Sequence, residues 1–428
     1  MEKDVIAIII VGIAIVSFML EKIPLAVTAM TACLAMGVLK VMPFPSVFSG
    51  FAANVTMMVA GMMIIGNGLF ETGVAKAIGI KMGNSKFAQS ERGFLFITVL
   101  VAGTLSGFLS NSAVTAMFLP IIAAIASRTN GRIQAKNITM MMGMAAAVGA
   151  NISMVGSTAQ LVVQGILLKT EGARGLGMFE MSTISIPIFL VFVIYCSTWG
   201  YSIAKKAFDF EDPVAHLAKE DMDEEIKITW QMVLSSAVMI FCVAGFVFSI
   251  WNVGIVAMVG AAVLLVTKCI DYKKALRELD WNTLVIVGAA QGFAYGLDKS
   301  GGGKLIAQFI LNVAGGETAS AYLLLVIAII LATVLTNFMS NTALVAMLVP
   351  IFLPLAFALN ASPTTFAIAI IIASNCALAT PIGTACVTQT LPAGYRYNDF
   401  VKVGLPINII IMLMLIVLMP LIYGMNYQ

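Results

Sequence analysis

Ser110-Asn111-Ser112 and Ser340-Asn341-Thr342 are polar tripeptides at the middle of the two longest apolar blocks of the chain, 93–127 and 318–359. Hydrocarbon penalises such groups unless they are paired or face a cavity. At a break between helices, hydroxyls and freed backbone carbonyls supply the neutral oxygen ligands that suit a hard cation. Carboxamide N–H groups and helix N-termini can meanwhile face an anion. Capping of a helical turn would account for one such tripeptide. Its recurrence at a matching position argues for a shared binding site.

The recurrence extends well beyond three residues. TLSGFLSNSAVTAMFLPI (104–121) aligns without a gap to VLTNFMSNTALVAMLVPI (334–351), with nine of 18 positions identical at a spacing of 230 residues. Composition alone would give about one or two. Upstream, LFETGVAKAI (69–78) matches LDKSGGGKLI (297–306) at a spacing of 228. Downstream, each block is followed by an apolar stretch with a polar, glycine-bearing interruption. Gly149, Gly156, Ser157, Thr158 and Gln160 interrupt the first; Ala379, Thr380, Pro381, Gly383 and Thr384 interrupt the second. An unwound segment facing each tip would complete two cation cages with an anion site between them.

The elements that must position these groups are membrane spans. Of 428 residues, 60% are hydrophobic and 11% charged, with a mean hydropathy of +1.01. Soluble domains hold ~45 to 50% apolar and ~25% charged residues. An all-α polytopic membrane protein is therefore expected. The net charge of +3 is small and dispersed through short loops, which leaves no basic surface for nucleic acid. The six cysteines lie in or beside apolar blocks without metal-ligand or disulfide spacing, and are expected to be free thiols. The first residues lack a basic region and a cleavage site, so they read as a retained span.

Apolar blocks of spanning length run near 5–20, 23–40, 54–70, 138–168, 181–203, 230–250, 253–268, 281–297, 364–392 and 403–426. The block 93–127 has Lys76, Lys81, Lys86 and Arg92 before it and Arg128, Arg132 and Lys136 after it, which places both of its ends on the cytoplasmic side. It reads as a re-entrant hairpin, being too short for two crossings of ~20 residues and a turn. The block 318–359 is read in the same way, although its length also admits two crossings. With both termini outside, 18 of the 24 Lys and Arg residues fall inside. The chain divides into a first repeat (1–203), a charged cytoplasmic linker (204–229) and a second repeat (230–428). Five crossings per repeat is an odd number, so the second repeat is inverted, an arrangement typical of secondary transporters.

The spans carry no Asp, Glu, His, Lys or Arg in their central parts, and the one histidine, His216, sits in the acidic linker. A proton relay within the membrane has no residues to run on. Sodium, which binds neutral hydroxyls and carbonyls, is the expected coupling ion, and no organic cofactor is called for.

The paired tips, the trailing Gly156-Ser157-Thr158 and Ala379-Thr380-Pro381 segments and the two five-span halves resemble the divalent anion:sodium symporter family over nearly the whole chain. The resemblance implies a homodimer in which a scaffold dimerises while an elevator-type transport domain, bearing both hairpins and both broken helices, carries the substrate. By motif, it implies a first sodium around Ser106, Ser110, Asn111 and Gly156. A second would lie around Thr336, Met339 (carbonyl), Asn341 and Ala379 (carbonyl). Substrate carboxylates would meet Asn111, Ser112, Ser157, Asn341, Thr342, Thr380 and Pro381. The chain departs from dicarboxylate-carrying relatives in three ways. It lacks their additional N-terminal span. It has Thr158-Ala159-Gln160 and Pro381-Ile382-Gly383 where they carry Pro-Pro-Asn. It has Ser112 for Thr in the first tip.

The expected function is sodium-coupled uptake of a small dianion at a cell membrane, with a C4-dicarboxylate such as succinate, malate or fumarate as substrate. An exchanger, or a carrier of another oxyanion such as citrate, sulfate or arsenite, is the alternative. An exchanger could replace a sodium with a fixed basic side chain, and neither tip has one nearby. A membrane-embedded enzyme is set aside, because no paired acids, activated serine or metal cluster lies within the spans. A channel is disfavoured by a site occluded at the midplane.

Overall fold

The computed structural model describes residues 2–20, 22–83, 85–129, 131–210, 228–248, 250–313 and 320–425. Most of the expected linker, including His216, lies outside the described residues, as does the start of the block 318–359. The described elements are all helical, with no β-strand among the described residues.

Among the described residues, five helices are long and apolar enough to cross a membrane: Asn111–Arg128, Ser182–Ala207, Trp230–Val247, Asn341–Ala358 and Tyr397–Tyr423. Shorter apolar helices, among them Leu25–Val38, Val253–Val266, Ala321–Leu335 and Pro363–Asn375, fill the space between them. Local chemistry sets many of the helix starts. Ser90 caps Glu91–Ser106, Thr229 caps Trp230–Val247, Asp280 caps Trp281–Lys299, and Ser362 followed by Pro363 opens Pro363–Asn375.

Each tripeptide sits at the turn of a helix pair. The first pair is Glu91–Ser106 and Asn111–Arg128; the second is Ala321–Leu335 and Asn341–Ala358. In both, Asn is the first helical residue after the turn. The long arms have 18 residues each, a rise of roughly 27 Å, close to the thickness of a hydrocarbon core.

The expected spans 138–168 and 364–392 are each divided. The first consists of Lys136–Gly149, an irregular stretch containing a short 3-10 turn, and Thr158–Lys169. The second consists of Pro363–Asn375, a bent non-helical segment and the one-turn helix Ala385–Thr388. Most of Lys136–Gly149 and all of Pro363–Asn375 are buried, so these two helices form the centre of the molecule.

Contacts between distant parts of the chain hold this centre together. Tyr395 Oη donates to Lys136 O at 2.5 Å and accepts from Met140 N at 3.0 Å. Tyr195 Oη donates to Val403 O at 2.6 Å. Glu91 accepts from Asn137 Nδ2 at 2.7 Å, from Gln134 N at 3.1 Å and from Tyr201 Oη at 2.8 Å, which fixes the base of the first helix pair. Around the centre, Asn54–Glu71 packs on Val253–Val266, and Leu25–Val38 packs on Trp281–Lys299.

Candidate functional site

Each broken helix docks on the turn of one helix pair, and the two assemblies repeat the same contacts. Ser106 Oγ donates to Ala146 O at 2.7 Å, and Thr336 Oγ1 donates to Ser374 O. Ser153 Oγ donates to Gly107 O, and Thr380 Oγ1 donates to Asn337 O. Gly156 and Gly383 occupy tight points beside the two turns. A Cβ on Gly156 would lie 2.2 Å from Ala150 O and 2.7 Å from Ser106 O; on Gly383 it would lie 1.9 Å from Thr336 O. Only glycine lets these backbones approach the turns so closely.

The helix after each break then begins at a hydroxyl residue, Ser157 in one and Thr384 in the other. The structural counterpart of Ser157 is therefore Thr384, at a spacing of 227, rather than Thr380 in the Ala-Thr-Pro segment. The Thr380 hydroxyl is committed to Asn337 O, and Pro381 O accepts from Thr388 Oγ1.

The first tip opens onto a cavity of about 370 Å³. Ser110, Asn111 and Ser112 line it together with Gly156, Ser157 and Thr158. Ser110 is exposed, Asn111 and Ser112 are half-buried, and Ser106 is fully buried behind them. Asn111 Oδ1 accepts from Ser112 N at 2.8 Å, which turns the amide across the mouth of its own helix. The opposite wall comes from Met62, Met63, Gly66, Asn67 and Phe70 of Asn54–Glu71, and from Gln389. Gln389 Oε1 is buried without a hydrogen-bond partner. No lysine or arginine lines this cavity among the described residues, and its rim reaches Glu278 and Asp280.

The second tip is closed. Asn341 is 7% exposed, and Thr336 is fully buried beside it with the two side chains 2.9 Å apart. The oxygens gathered at this tip are Thr336 Oγ1, Ser374 O and Gly383 O, all within 3.0 Å of the Asn341 carboxamide. Met339 and Ala379 are buried, and Ala379 N donates to Asn337 Oδ1 at 3.0 Å. The Thr342 hydroxyl shares a hydrogen bond with that of Thr158 at 2.7 Å.

A chain of buried amides joins the two tips. Ser157 Oγ donates to Asn375 Oδ1 at 3.0 Å, and Asn375 Nδ2 donates to Asn151 Oδ1 at 2.8 Å. Gln160 accepts from Ser157 N and donates to Ala150 O, both at 2.9 Å. Asn151, Asn375 and Gln160 are at most 1% exposed. Sequence reasoning singled out neither Asn151 nor Asn375, since a lone amide at the end of an apolar helix looks like a cap.

Beyond the site, Lys299 Nζ meets Glu171 at 3.0 Å on the face where the helices Thr158–Lys169 and Trp281–Lys299 end. This ammonium holds the exposed Glu171 carboxyl below its ordinary range.

A family described as "Citrate transporter" matches residues 15–352. The chain is 31% identical over 157 residues to the uncharacterized transporter YfbS of Escherichia coli (strain K12), a match covering 36% of this chain and 25% of that protein. It is 22% identical over 445 residues to the sodium-dependent dicarboxylate transporter SdcS of Staphylococcus aureus, covering 95% of this chain and 84% of SdcS. Its fold is similar to the crystal structure of the Alcanivorax borkumensis YdaH transporter, with a TM-score of 0.63 and 14% identity over 88% of this chain and 86% of that one.

Proposed function

The chain belongs to the citrate transporter family, in keeping with its resemblance to the divalent anion:sodium symporters, and from that premise we propose that it is a secondary transporter coupling sodium to uptake of a small carboxylate dianion. The observation that carries this reading is the pair of equivalent assemblies, each a tip, a glycine approach and a hydroxyl-started helix. Together they present neutral oxygens and amide donors in an apolar setting. Such groups suit sodium and, with it, a carboxylate.

The first sodium belongs with Ser106, Ser110, Asn111 and Gly156. The second belongs at Thr336 and Asn341, where the carbonyls of Ser374 and Gly383 join the set expected from Met339 and Ala379. A carboxylate in the cavity would meet Asn111, Ser112 and Ser157, with Asn67 and Gln389 facing it. The lining without lysine or arginine favours cation-coupled symport over an exchanger that carries its own fixed charge. SdcS, described as sodium-dependent and dicarboxylate-transporting, supports the same reading.

The cavity rim at Glu278 and Asp280 adjoins Lys273, Lys274 and Arg277, the loop that charge places inside. We therefore read this conformation as inward-facing at the first tip, with the Lys299–Glu171 pair on the outer side. The two halves act as inverted repeats. The tips and breaks form the moving body, and the helices Asn54–Glu71 and Val253–Val266 belong to the frame of a homodimer.

A thermal-stability screen of the purified protein tests the reading. Succinate, malate, citrate and sulfate would each be added in sodium and in choline buffer. Stabilisation by a carboxylate in sodium but not in choline is expected by mass action. Equal stabilisation in both buffers would remove sodium from the account.

A further inference from the structure

Lys206, Arg396 and Lys402 line one cavity of about 350 Å³, on the side of the molecule that charge places in the cytoplasm. All three are exposed, and none forms an ion pair among the described residues. Two carboxylates share the cavity, Asp209 and Asp399. Asp399 is buried and accepts from Arg396 N at 2.9 Å, so it is committed to the start of its own helix. Three cations against two carboxylates leave one positive charge in excess. The wall is held in place from behind. Lys136 Nζ donates to Phe208 O at 3.2 Å and to Phe210 O at 2.5 Å, and both rings pack on Tyr395, with centroids 5.0 and 5.7 Å away.

The helices that carry the cations leave apolar faces uncovered beneath them. Ser182–Ala207 ends at this cavity, Tyr397–Tyr423 begins there, and the two pack on each other. Lys402, Leu405, Ile409 and Leu413 recur at three and four residues, so they share one helix face, and all four are exposed. On the other helix Ile186, Leu190, Ile194 and Trp199 are exposed in turn, and the π-helical turn Cys196–Gly200 supplies the extra residue between the last two. Trp199 is 71% exposed and lies seven residues before Lys206, a rise of roughly 10 Å. Tryptophan at that depth marks the boundary between headgroups and acyl chains. Each helix therefore presents a cation at its cytoplasmic end and an apolar stripe running into the bilayer.

We propose that this cavity is a binding site for an anionic phospholipid of the cytoplasmic leaflet. The headgroup phosphate meets Lys206, Arg396 and Lys402, and the acyl chains lie along the two stripes. Basic pockets between spanning helices on the cytoplasmic side have the chemistry for such headgroups. A choline phospholipid brings its own cation to the same place. A free phosphate offers the anion but leaves the stripes uncovered.

Neither the carried substrate nor the coupling ion enters the test, so the site and the transport reading fail separately. Delipidated full-length protein in a neutral detergent is titrated with phosphatidylglycerol, with phosphatidylcholine of the same chains, and with inorganic phosphate as a competitor. Bound lipid is counted by native mass spectrometry. Phosphatidylglycerol is expected to bind at least about tenfold more tightly than phosphatidylcholine, and millimolar phosphate is expected not to displace it. Lys206→Gln, Arg396→Gln and Lys402→Gln should each weaken phosphatidylglycerol about fivefold, and the triple variant about a hundredfold. Lys205→Gln, an exposed neighbour that does not line the cavity, should stay within about twofold. An equal loss in Lys205→Gln would show a diffuse basic surface and overturn the site. Equal binding of the two lipids, or displacement by phosphate, would overturn the lipid as its occupant. A triple variant that melts well below the wild type without any lipid would show that the cations serve the chain's own carboxylates, which also contradicts the proposal.

Discussion

The hydroxyls of Thr158 and Thr342 lie 2.7 Å apart, 184 residues from each other in the chain. One belongs to the helix that restarts after the first break and the other to the first turn of the second long arm. This contact and the Ser157–Asn375 hydrogen bond tie the break of the first repeat to the second tip. The two half-sites are thus joined by direct hydrogen bonds.

Thr158→Val keeps the shape of the side chain and leaves the Thr342 hydroxyl without its partner. A loss of about 1 kcal/mol is expected, read as a lower melting temperature of the purified protein. Thr342→Val should cost a similar amount. The double variant should cost less than the two single losses together, since both remove one interaction. Strict additivity would show that the two hydroxyls do not interact.

Alanine at Gly156 or Gly383 has no room, because its Cβ would fall 2.2 Å or 1.9 Å from a backbone oxygen. The break must retreat from its turn, pulling apart the oxygens gathered there. Each variant is expected to lose stabilisation by sodium and to transport at below about a tenth of the wild-type rate, a loss of at least ~1.4 kcal/mol in barrier terms. Gly12, an exposed helical glycine with nothing near its missing Cβ, serves as the control. Gly12→Ala should transport normally.

The tips were legible because sequence and structure repeat there at one spacing. Ser106, Ser110 and Asn111 match Thr336, Ser340 and Asn341 at 230 residues, and gapless identity makes the pattern visible. The breaks were less legible. Their correspondence, Gly156 with Gly383 and Ser157 with Thr384, runs at 227, and the Ala379-Thr380-Pro381 segment drew attention one turn too early. Asn151 and Asn375 left no periodic signal, since a buried amide network is defined by contacts between helices rather than by spacing along one. Asn67 and Gln389 enter the cavity wall only because the chain folds across it.

Gln389 contributes an unpartnered buried oxygen to that wall, an arrangement that costs stability unless a ligand orders the amide. Gln389→Leu is expected to raise the melting temperature slightly and to weaken substrate, with KM rising about threefold to tenfold. Asn111→Ala, which removes an amide from the first tip, should cost about 1.5 to 3 kcal/mol, or ~10- to 150-fold in kcat/KM. Normal transport in Asn111→Ala would place the site elsewhere.

Tyr395 ties the last third of the chain to the first broken helix through two hydrogen bonds. Tyr395→Phe retains the ring, which packs against Phe208 at a centroid distance of 5.0 Å and Phe400 at 5.7 Å, but leaves Lys136 O and Met140 N without the hydroxyl. A destabilisation of about 1 to 3 kcal/mol is expected, with the sodium dependence of transport unchanged. A shift in sodium dependence would mean that this contact belongs to the coupling network.

On the proposed function, a sodium gradient drives a small carboxylate across the membrane through a site of neutral oxygens. Uptake of labelled succinate, malate and citrate into proteoliposomes, with sodium outside and choline inside, measures it most directly. Accumulation of at least one of these above equilibrium, collapsing when sodium is equal on both sides, is the expected result. Uptake indifferent to sodium, or accumulation driven only by a proton gradient, would contradict it.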